Sequence, residues 1–487
     1  MSLSGVSRET SGFRQHLQLI RTELSNRPLL LAFLCLMVGI SLSASLWNVL
    51  LALPILWLSR SKKVRALLAV VVVVGALVAP KPADLAPVPE YFEGTVVTLS
   101  QPFYARVVNY TEVRTQDGKR VTLRTSRRDT YPIGTTLALR AVRSERESDV
   151  PYRSKYVLSP VRGSVEVIGA GSPFGALGIA MRDDYLRHAE QYLSPTAKAV
   201  SAALVVGDES ELSKYQDLFR ISGTTHLIAV SGLQVGLLCV FLLTALWIVP
   251  APRSLKLALV FAILILYAFI TGLQAPIVRA TIMAILFLSA YQFFRSPDLL
   301  TALAAGGIVY LLWVPYGLWN VGFQLSFLCI AALSVLFPRF EPILPNRDGS
   351  FSKDALFLGA SAAVATTICT VVALPVIALY FGVFGVYAVP ANLISAPLVP
   401  LLMLSSLVAW ALSPIAPPVA ALVWTYAVEP ISLTFTHAAS LFGTVPGAEA
   451  HVPGLPIWAM VAFYALLMLF WRPKQLPQVS QTAEDGL

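Results

Sequence analysis

The sequence predicts a polytopic α-helical membrane protein with one small inserted β-rich domain, of the oligonucleotide-binding (OB) type, on the periplasmic side. Apolar side chains make up 56% of its 487 residues and charged ones only 13%, against about 25% in soluble domains. Residues 355–428 contain no Asp, Glu, Lys or Arg, although one crossing needs only about 20 apolar residues. Several crossings are therefore predicted there, whereas residues 91–168 show short alternating runs typical of β-strands.

The first 80 residues are predicted to contain a cytoplasmic N-terminus, a membrane hairpin and a third transmembrane helix. The apolar stretch 29–58 is interrupted by serines at 41–45 and is followed by a basic cluster at 60–65. Because Lys and Arg favour the cytoplasmic side, both ends of this hairpin are placed there. The third apolar run, 66–79, is stopped by prolines between 80 and 89, which cannot continue a helix. The following segment is thus predicted to be periplasmic.

Residues 81–170 are predicted to form the periplasmic β-barrel-like domain. Five or six short strands separated by turn signals such as Asp117-Gly118 indicate a small barrel of the OB type. Its basic side chains suit a single nucleic-acid strand, and they equally suit a solvated sheet face. The candidates for contact with such a strand are Arg106, Arg114, Lys119, Arg120, Arg124, Arg127 and Arg128.

Three further segments complete the chain. Residues 171–222 mix apolar and charged positions at helical spacing, which predicts amphipathic, interfacial helices. Residues 223–473 are predicted to form the main domain of transmembrane helices, because basic residues recur after every second crossing. Residues 474–487 form a polar tail.

This alternation of basic residues breaks down after Lys353. About five apolar runs precede Arg472, whereas two cytoplasmic ends require an even number of crossings. Three prolines, at 375, 390 and 397, fall within residues 372–400. Irregular backbone at membrane depth is tolerated only where it is buried in protein or lines a water-filled cavity. The sequence therefore predicts a broken or re-entrant segment there, next to a pore.

The most informative stretch, 219–236, places His226, Ser231 and Gln234 in an otherwise apolar helix. A serine hydrolase pair is disfavoured, because five positions separate His226 from Ser231 by roughly 140° around a straight helix. A hydrogen-bonding network between helices explains the same residues, and the neighbouring glycines permit close helix contact.

Four more polar residues fall in apolar crossings. Arg279 lies a few residues inside its run, where snorkelling to the periplasmic surface and contact with a phosphate both explain it. Gln324, Ser326 and Asn392 add neutral donors in two other segments. Such groups suit the lining of a path through the membrane.

The sequence lacks the residue patterns of several common functional sites. All four cysteines stand singly in apolar runs, and the five histidines are dispersed, so neither a zinc site nor a redox motif is predicted. The Gly-x-x-x-x-Gly-Lys-[Ser/Thr] pattern of nucleotide-driven proteins does not occur. The prediction is a chain with no metal, no cofactor and no catalytic residue.

In order and approximate spacing, five motifs resemble the competence domain of the ComEC family. They are Gly207-Asp208, residues 223–233, Arg279-Ala280, residues 322–327 and residues 392–397. The resemblance implies a channel in the bacterial inner membrane through which one strand of transforming DNA enters the cytoplasm. It also implies a periplasmic DNA-binding competence protein that delivers the DNA, and cytoplasmic single-strand DNA-binding proteins that receive it.

The sequence departs from the family's pattern in two places. Gln234 stands where the family commonly has His, which replaces a titratable imidazole with a neutral amide and weakens any proton-linked or metal-linked role. Longer members carry a metallo-β-lactamase-like nuclease domain, whereas this sequence stops shortly after Trp471. A non-enzymatic chain that depends on a separate nuclease is therefore expected. The alternative, a secondary transporter of a small solute, would use similar broken helices.

Overall fold

The computed structural model describes residues 27–41, 48, 52–59, 61–79, 91–96, 101–102, 108–116, 120–126, 131–145, 156–161, 164–292, 299–346, 349–451 and 456–469. The helices are α1 (Pro28–Ser41), α2 (Ala52–Leu58), α3 (Lys62–Val78), α4 (Pro173–Tyr192), α5 (Pro195–Val206), α6 (Gln216–Ile221), α7 (Thr225–Ile228), α8 (Gly232–Trp247), α9 (Arg253–Ile270), α10 (Ala275–Gln292), α11 (Leu299–Trp313), α12 (Val321–Phe340), α13 (Phe351–Phe381), α14 (Ala388–Ser395), α15 (Leu398–Leu412), α16 (Pro417–Val423), α17 (Glu429–Gly443) and α18 (Ile457–Leu469). The strands are β1 (Tyr91–Val96), β2 (Gln101–Pro102), β3 (Val108–Thr115), β4 (Arg120–Ser126), β5 (Thr136–Glu145), β6 (Tyr156–Pro160), β7 (Glu166–Gly169), β8 (Val383–Gly385) and β9 (Glu449–His451).

The first helix packs mainly against the third apolar run, and Ile55 and Leu56 of the second run pack against the same buried cluster. Gly39 of α1 and Gly75 of α3 meet so closely that a Cβ atom on Gly75 would lie 2.7 Å from the carbonyl oxygen of Leu36. The seven residues of α2 extend only about 10 Å, against a hydrocarbon core of about 30 Å. Two glycines thus hold α1 and α3 together, and the hairpin within residues 29–58 stays a prediction, because most of residues 42–51 lie outside the described part of the chain.

Five strands of the β domain close on themselves. The hydrogen-bonded order β1-β3-β4-β6-β5 returns to β1 through the β1–β5 pairing, and only β4 and β6 run parallel. Alternate residues point inward, so that a buried core forms from Val96, Val113, Val121, Leu123, Leu137, Leu139 and Ala141. This closed five-stranded barrel is the architecture predicted from the alternating runs.

Helices α4 and α5 connect this barrel to the membrane domain in different ways. Helix α4 is amphipathic and packs on α9, where Gly178 approaches the carbonyl of Phe269. Helix α5 is almost entirely buried from Ala197 to Val206, because its side chains are small and apolar enough to be surrounded. An interfacial position stays a prediction for α4, whereas α5 lies inside the bundle.

The described chain has five helical segments that are long and apolar enough to cross a membrane. They are Arg253–Ile270, Val321–Ile343, Ser352–Phe381, Ala388–Leu412 and Pro417–Gly443. A polytopic helical membrane protein with a small β domain is thereby confirmed. Several of the apolar segments between residues 200 and 412 are interrupted, and these interruptions position the candidate site.

Candidate functional site

The first interruption separates α6, α7 and α8. Gly223 adopts a left-handed φ of +73° after α6, and α7 ends before Ala229. Ser231 has extended backbone and caps α8: its backbone N–H donates to the side-chain oxygen of Gln234, and its own hydroxyl accepts from Leu233. The expectation of one continuous helix through His226 and Ser231 is therefore wrong, because this reciprocal capping box starts a new helix at Gly232.

The second interruption follows α13. That helix runs without a break through Pro375 and ends at Gly382, whose φ is +67°. Strand β8, the eight-residue α14 and a bend at Ala396 and Pro397 then lead into α15. The broken segment predicted for residues 372–400 thus begins at Gly382. A transmembrane helix tolerates an internal proline such as Pro375, whereas a glycine in the left-handed conformation ends the helix.

These two interrupted segments pack directly on each other. A Cβ atom on Gly223 would lie 2.5 Å from the Cβ of Ala388, and one on Gly385 would lie 2.5 Å from the carbonyl oxygen of Ile221. The amide of Asn392 reaches toward the carbonyl of Gly223 at 3.5 Å. Only glycine permits this approach, so the contact fixes the two breaks against each other.

A third interruption lies between α9 and α10. Gly272 and Leu273 both have positive φ, +80° and +52°, and the next residue, Gln274, donates a 3.3 Å hydrogen bond to the carbonyl of Gly207. Gly207 ends α5 in the left-handed conformation, and a Cβ atom there would lie 2.9 Å from Val230 in the first interruption. The loops at 207, 230 and 274 therefore converge at one end of the bundle.

An ion pair links this convergence to α4. Asp208 is 8% exposed, and its Oδ1 accepts from the backbone N–H of Ser210 at 2.9 Å. The guanidinium of Arg182, on α4, lies 3.5 Å from the same oxygen. The two contacts of Asp208 therefore anchor α4 to the loop at Gly207.

Arg279 is buried rather than snorkelled. It is 1% exposed, and its Nη2 donates a 2.9 Å hydrogen bond to the carbonyl of Gly322 at the start of α12. Its Cζ lies 5.5 Å and 5.4 Å from the ring centroids of Tyr310 and Phe323, which are stacked on each other. The snorkelling explanation is thus wrong, because these rings hold the guanidinium inside the bundle.

The other predicted path residues differ in exposure. Gln234 and Asn392 are fully buried, and each has one polar side-chain atom without a hydrogen-bond partner among the described residues. Gln324 donates to the carbonyl of Leu318 at 3.0 Å and is only partly buried. Ser231 and Ser326 are also half-buried, whereas His226 is exposed.

The contacts divide these residues into two groups. In the first group, Asn392 approaches Gly223, as described above. The second group runs through α8, α10 and α12. Gly232, beside Ser231, lies against Ala280, with 3.4 Å between the Ala280 Cβ and a Cβ added to the glycine. The next residue back, Arg279, reaches the α12 terminus that carries Gln324. The segment 223–232 belongs to both groups and connects them.

Of the basic candidates in the barrel, the structure describes the side chain of Arg114 alone, which is exposed on β3. The antiparallel register places Arg120 directly opposite Arg114, and Arg124 opposite Tyr110. Arg106, Lys119, Arg127 and Arg128 lie outside the described residues. The pairing of Arg114 with Arg120 puts two cationic residues at neighbouring positions of one sheet.

Sequence reasoning missed the partners more than the site residues themselves. Tyr310, Phe323 and Gln274 each stand in or beside an apolar run, where an aromatic ring or a single amide gives no signal of its own. For Asp208, the one local signal of a special position was the preceding Gly207, because a glycine commonly ends a helix. Within the described ranges, no group of three His, Cys, Asp or Glu residues lies close enough together to hold a metal ion.

Known proteins match the part of the chain that contains these interruptions. A family model described as "Competence protein" matches residues 204–477, a range that contains all three interruptions and every membrane candidate. "ComE operon protein 3" of Bacillus subtilis (strain 168) is 28% identical over 224 residues, 45% of this chain and 27% of that protein. An "Uncharacterized protein" of Aquifex aeolicus (strain VF5) is 29% identical over 146 residues, 30% of this chain and 34% of that protein. The matches thus span about a third or less of these relatives, and no solved structure matches.

Proposed function

Because the chain belongs to the competence protein family, we propose that it forms the membrane channel through which one strand of transforming DNA enters the cytoplasm. The chain itself carries out no catalysis in this proposal. The DNA strand passes through the bundle in the region of the three interruptions, and the closed barrel stands on the side from which the strand arrives.

The observation that carries the proposal is the convergence of interrupted helices at one end of the bundle. Gly207 with Gln274, and Gly223 with Ala388 and Asn392, bring together segments that are far apart in sequence. Non-helical backbone inside a membrane protein is supported either by surrounding protein or by water. A pathway for a hydrated polyanion needs polar backbone of this kind, whereas a purely structural bundle is stable without it.

The conformation is proposed to be a closed one. Gln234, Arg279 and Asn392 are each no more than 1% exposed, so they contact protein instead of water. Each of them has at least one side-chain nitrogen or oxygen without a partner in the described part of the chain. Buried polar atoms of this kind are costly, and separation of the helices around a DNA strand would satisfy them.

The proposal includes an orientation and a set of partners. The N-terminus is placed in the cytoplasm and the barrel in the periplasm of a bacterium, with the channel in the inner membrane and surrounded by lipid. A periplasmic DNA-binding competence protein delivers the DNA, cytoplasmic single-strand DNA-binding proteins receive it, and a separate nuclease removes the other strand. The loop charges support this orientation, and the family supports the partners.

A deletion strain tests the function. Cells lacking the chain are given labelled double-stranded DNA, and nuclease-resistant label inside the cells is measured along with transformants. The expected result is loss of both, with recovery when the gene is returned. Electroporated DNA should transform the deletion strain normally, which controls for viability and recombination. Unchanged uptake in the deletion strain would contradict the proposal and leave the small-solute transporter as the alternative.

A further inference from the structure

Arg279 and the N-terminus of α12 share one location, and we propose that together they form a binding subsite for a phosphodiester anion. The inference rests on the proposed function and adds the chemical group that this part of the channel recognises. Four observations carry it: the missing counter-charge, two unpaired donors, the direction of α12, and the exposed surface beside them.

The missing counter-charge is the first observation. Arg279 is 1% exposed, and no Asp or Glu in the described residues forms an ion pair with it. An arginine side chain keeps its positive charge in proteins, and a buried charge is stable only when it is paired or fully hydrogen-bonded. The bundle therefore holds one positive charge for which the described chain supplies no negative partner.

Two unpaired donors are the second observation. One guanidinium nitrogen, Nη2, bonds the carbonyl of Gly322, but Nε and Nη1 are buried without a hydrogen-bond acceptor among the described residues. The stacked rings of Tyr310 and Phe323 fix the position of the side chain. Nε and one Nη are the edge with which arginine grips two oxygens of a phosphate or carboxylate.

The direction of α12 is the third observation. This helix has 20 residues, so its N-terminus carries a partial positive charge and N–H groups that helical hydrogen bonds leave free. Asn320 caps it by accepting from Phe323 at 3.1 Å. A cation at this end is unfavourable by itself, because it adds to the positive potential. The combination becomes favourable when an anion binds beside both.

The exposed surface supplies the approach. Asn320 and Gly322 are exposed, whereas Arg279 lies directly beneath them through its bond to Gly322. An anion can therefore reach the helix terminus from outside, and in the proposed binding event Gly322 moves aside so that the anion meets the guanidinium. A phosphodiester fits better than a carboxylate metabolite in this family, because every nucleotide of the transported strand brings one. A phospholipid headgroup carries the same group, so the test must separate the two sources.

Binding of single-stranded DNA by the purified full-length protein, in nanodiscs of zwitterionic lipid, provides the test. A fluorescent oligonucleotide is titrated at several salt concentrations against wild type, Arg279→Gln and Arg279→Lys. Arg253→Gln is the matched control, because it removes a cation from an exposed position at the start of α9. An oligonucleotide of the same sequence with an uncharged methylphosphonate backbone reports binding that does not depend on phosphate charge.

The salt dependence distinguishes phosphate contact from a structural role. Each lost contact with a single strand lowers the slope of log K against log salt by about 0.7. We expect Arg279→Gln to bind about tenfold more weakly with a slope reduced by that amount, and Arg279→Lys to keep the wild-type slope. The methylphosphonate strand should bind wild type and Arg279→Gln equally. An unchanged slope and affinity in Arg279→Gln would exclude the DNA backbone as the occupant of the subsite.

A second arm identifies the source of the phosphodiester. Phosphatidylglycerol is added to the nanodiscs, and the melting temperature of each variant is measured. If the lipid stabilises wild type but not Arg279→Gln, and DNA binding is equal in both, the subsite holds a lipid headgroup. If neither DNA nor lipid distinguishes the variants, the inference is wrong. The proposed function fails separately, through normal DNA uptake by the deletion strain.

Discussion

The side-chain amide of Gln274 donates a hydrogen bond of 3.3 Å to the carbonyl of Gly207, 67 residues earlier in the chain. This bond joins the turn between α9 and α10 to the left-handed end of α5. Val230, from the segment that precedes α8, packs beside the same glycine. The first and third interruptions and the end of α5 thus meet around one residue that has no side chain, and the first prediction tests that residue.

Substitution Gly207→Ala is expected to destabilise the protein strongly. The left-handed φ of +71° costs an alanine about 1–2 kcal/mol, and its Cβ would lie 2.8 Å from the Gln274 amide, which adds roughly 1–3 kcal/mol of overpacking. Gly447→Ala is the matched control, because its φ is +77° but nothing lies within 4 Å of an added Cβ.

The free energy of unfolding in detergent, measured by denaturant titration, checks this prediction. Gly207→Ala should lose more stability than Gly447→Ala. Equal losses in the two variants would show that backbone conformation alone matters and that the contact with Gln274 and Val230 does not.

The extent to which sequence predicted this arrangement depends on the range of the interaction. Prolines and loop charges are local signals, and they located the broken segment near residues 372–400. The contact of Gly223 with Asn392 joins residues 169 positions apart and has no local signal. The burial of Arg279 likewise follows from the placement of Tyr310 and Phe323, because an arginine near a helix end snorkels unless neighbouring helices enclose it.

The first helix shows the same limit. Serines between two apolar runs predicted that α1 pairs with the run next to it, because neighbouring segments in sequence usually pack together. The close fit of Gly39 against Gly75 adds a contact with α3 that no such local signal indicates. Glycines that permit such contact are recognised only when both partners are known.

The ion pair between Arg182 and Asp208 is expected to anchor α4 to the loop at Gly207. Both side chains are largely buried, at 13% and 10% exposure, so Asp208→Asn should cost about 1–3 kcal/mol, the range for hydrogen bonds to charged groups. The asparagine retains an acceptor for the backbone N–H of Ser210. Arg187→Gln serves as the control, because its pair with Asp184 is exposed and worth at most about 1 kcal/mol.

A double-mutant cycle with Arg182→Gln measures the coupling between the two charges. We expect the double variant to be more stable than the sum of the single losses predicts, since removal of both charges leaves neither one unpaired. Additive losses would show that Asp208 acts through Ser210 and not through Arg182.

Substitution Asn392→Leu is expected to separate stability from transport. Leucine has a similar volume and removes a buried carbonyl oxygen that lacks a partner in the described chain. It also removes the long 3.5 Å hydrogen bond to the carbonyl of Gly223, and because the two effects oppose each other, the free energy of unfolding should stay within about 1 kcal/mol of wild type. DNA import should fall about tenfold, as a barrier higher by about 1.4 kcal/mol would produce, because the path loses a polar group.

Ser406→Ala is the control for this comparison. Its hydroxyl on α15 is also buried without a partner in the described chain, but it lies outside the interrupted segments. Its import should equal that of wild type when protein levels are matched. Wild-type import by Asn392→Leu would exclude Asn392 from the path.

Arg114 and Arg120 occupy directly opposed positions on β3 and β4, and like charges at such positions destabilise a sheet by roughly 0.2–1 kcal/mol. A basic pair at this place suits a surface that contacts nucleic acid. Arg114→Gln should therefore raise the stability of the full-length protein by up to that amount, most at low salt, where charge repulsion is least screened. The same variant should bind single-stranded DNA more weakly, with a salt slope reduced by about 0.7.

Arg140→Gln is the control, because Arg140 is also exposed on the barrel but pairs with Tyr91 on β1. A more stable Arg114→Gln with unchanged DNA binding would mean that the charges belong to a solvated sheet face, the alternative that the sequence left open.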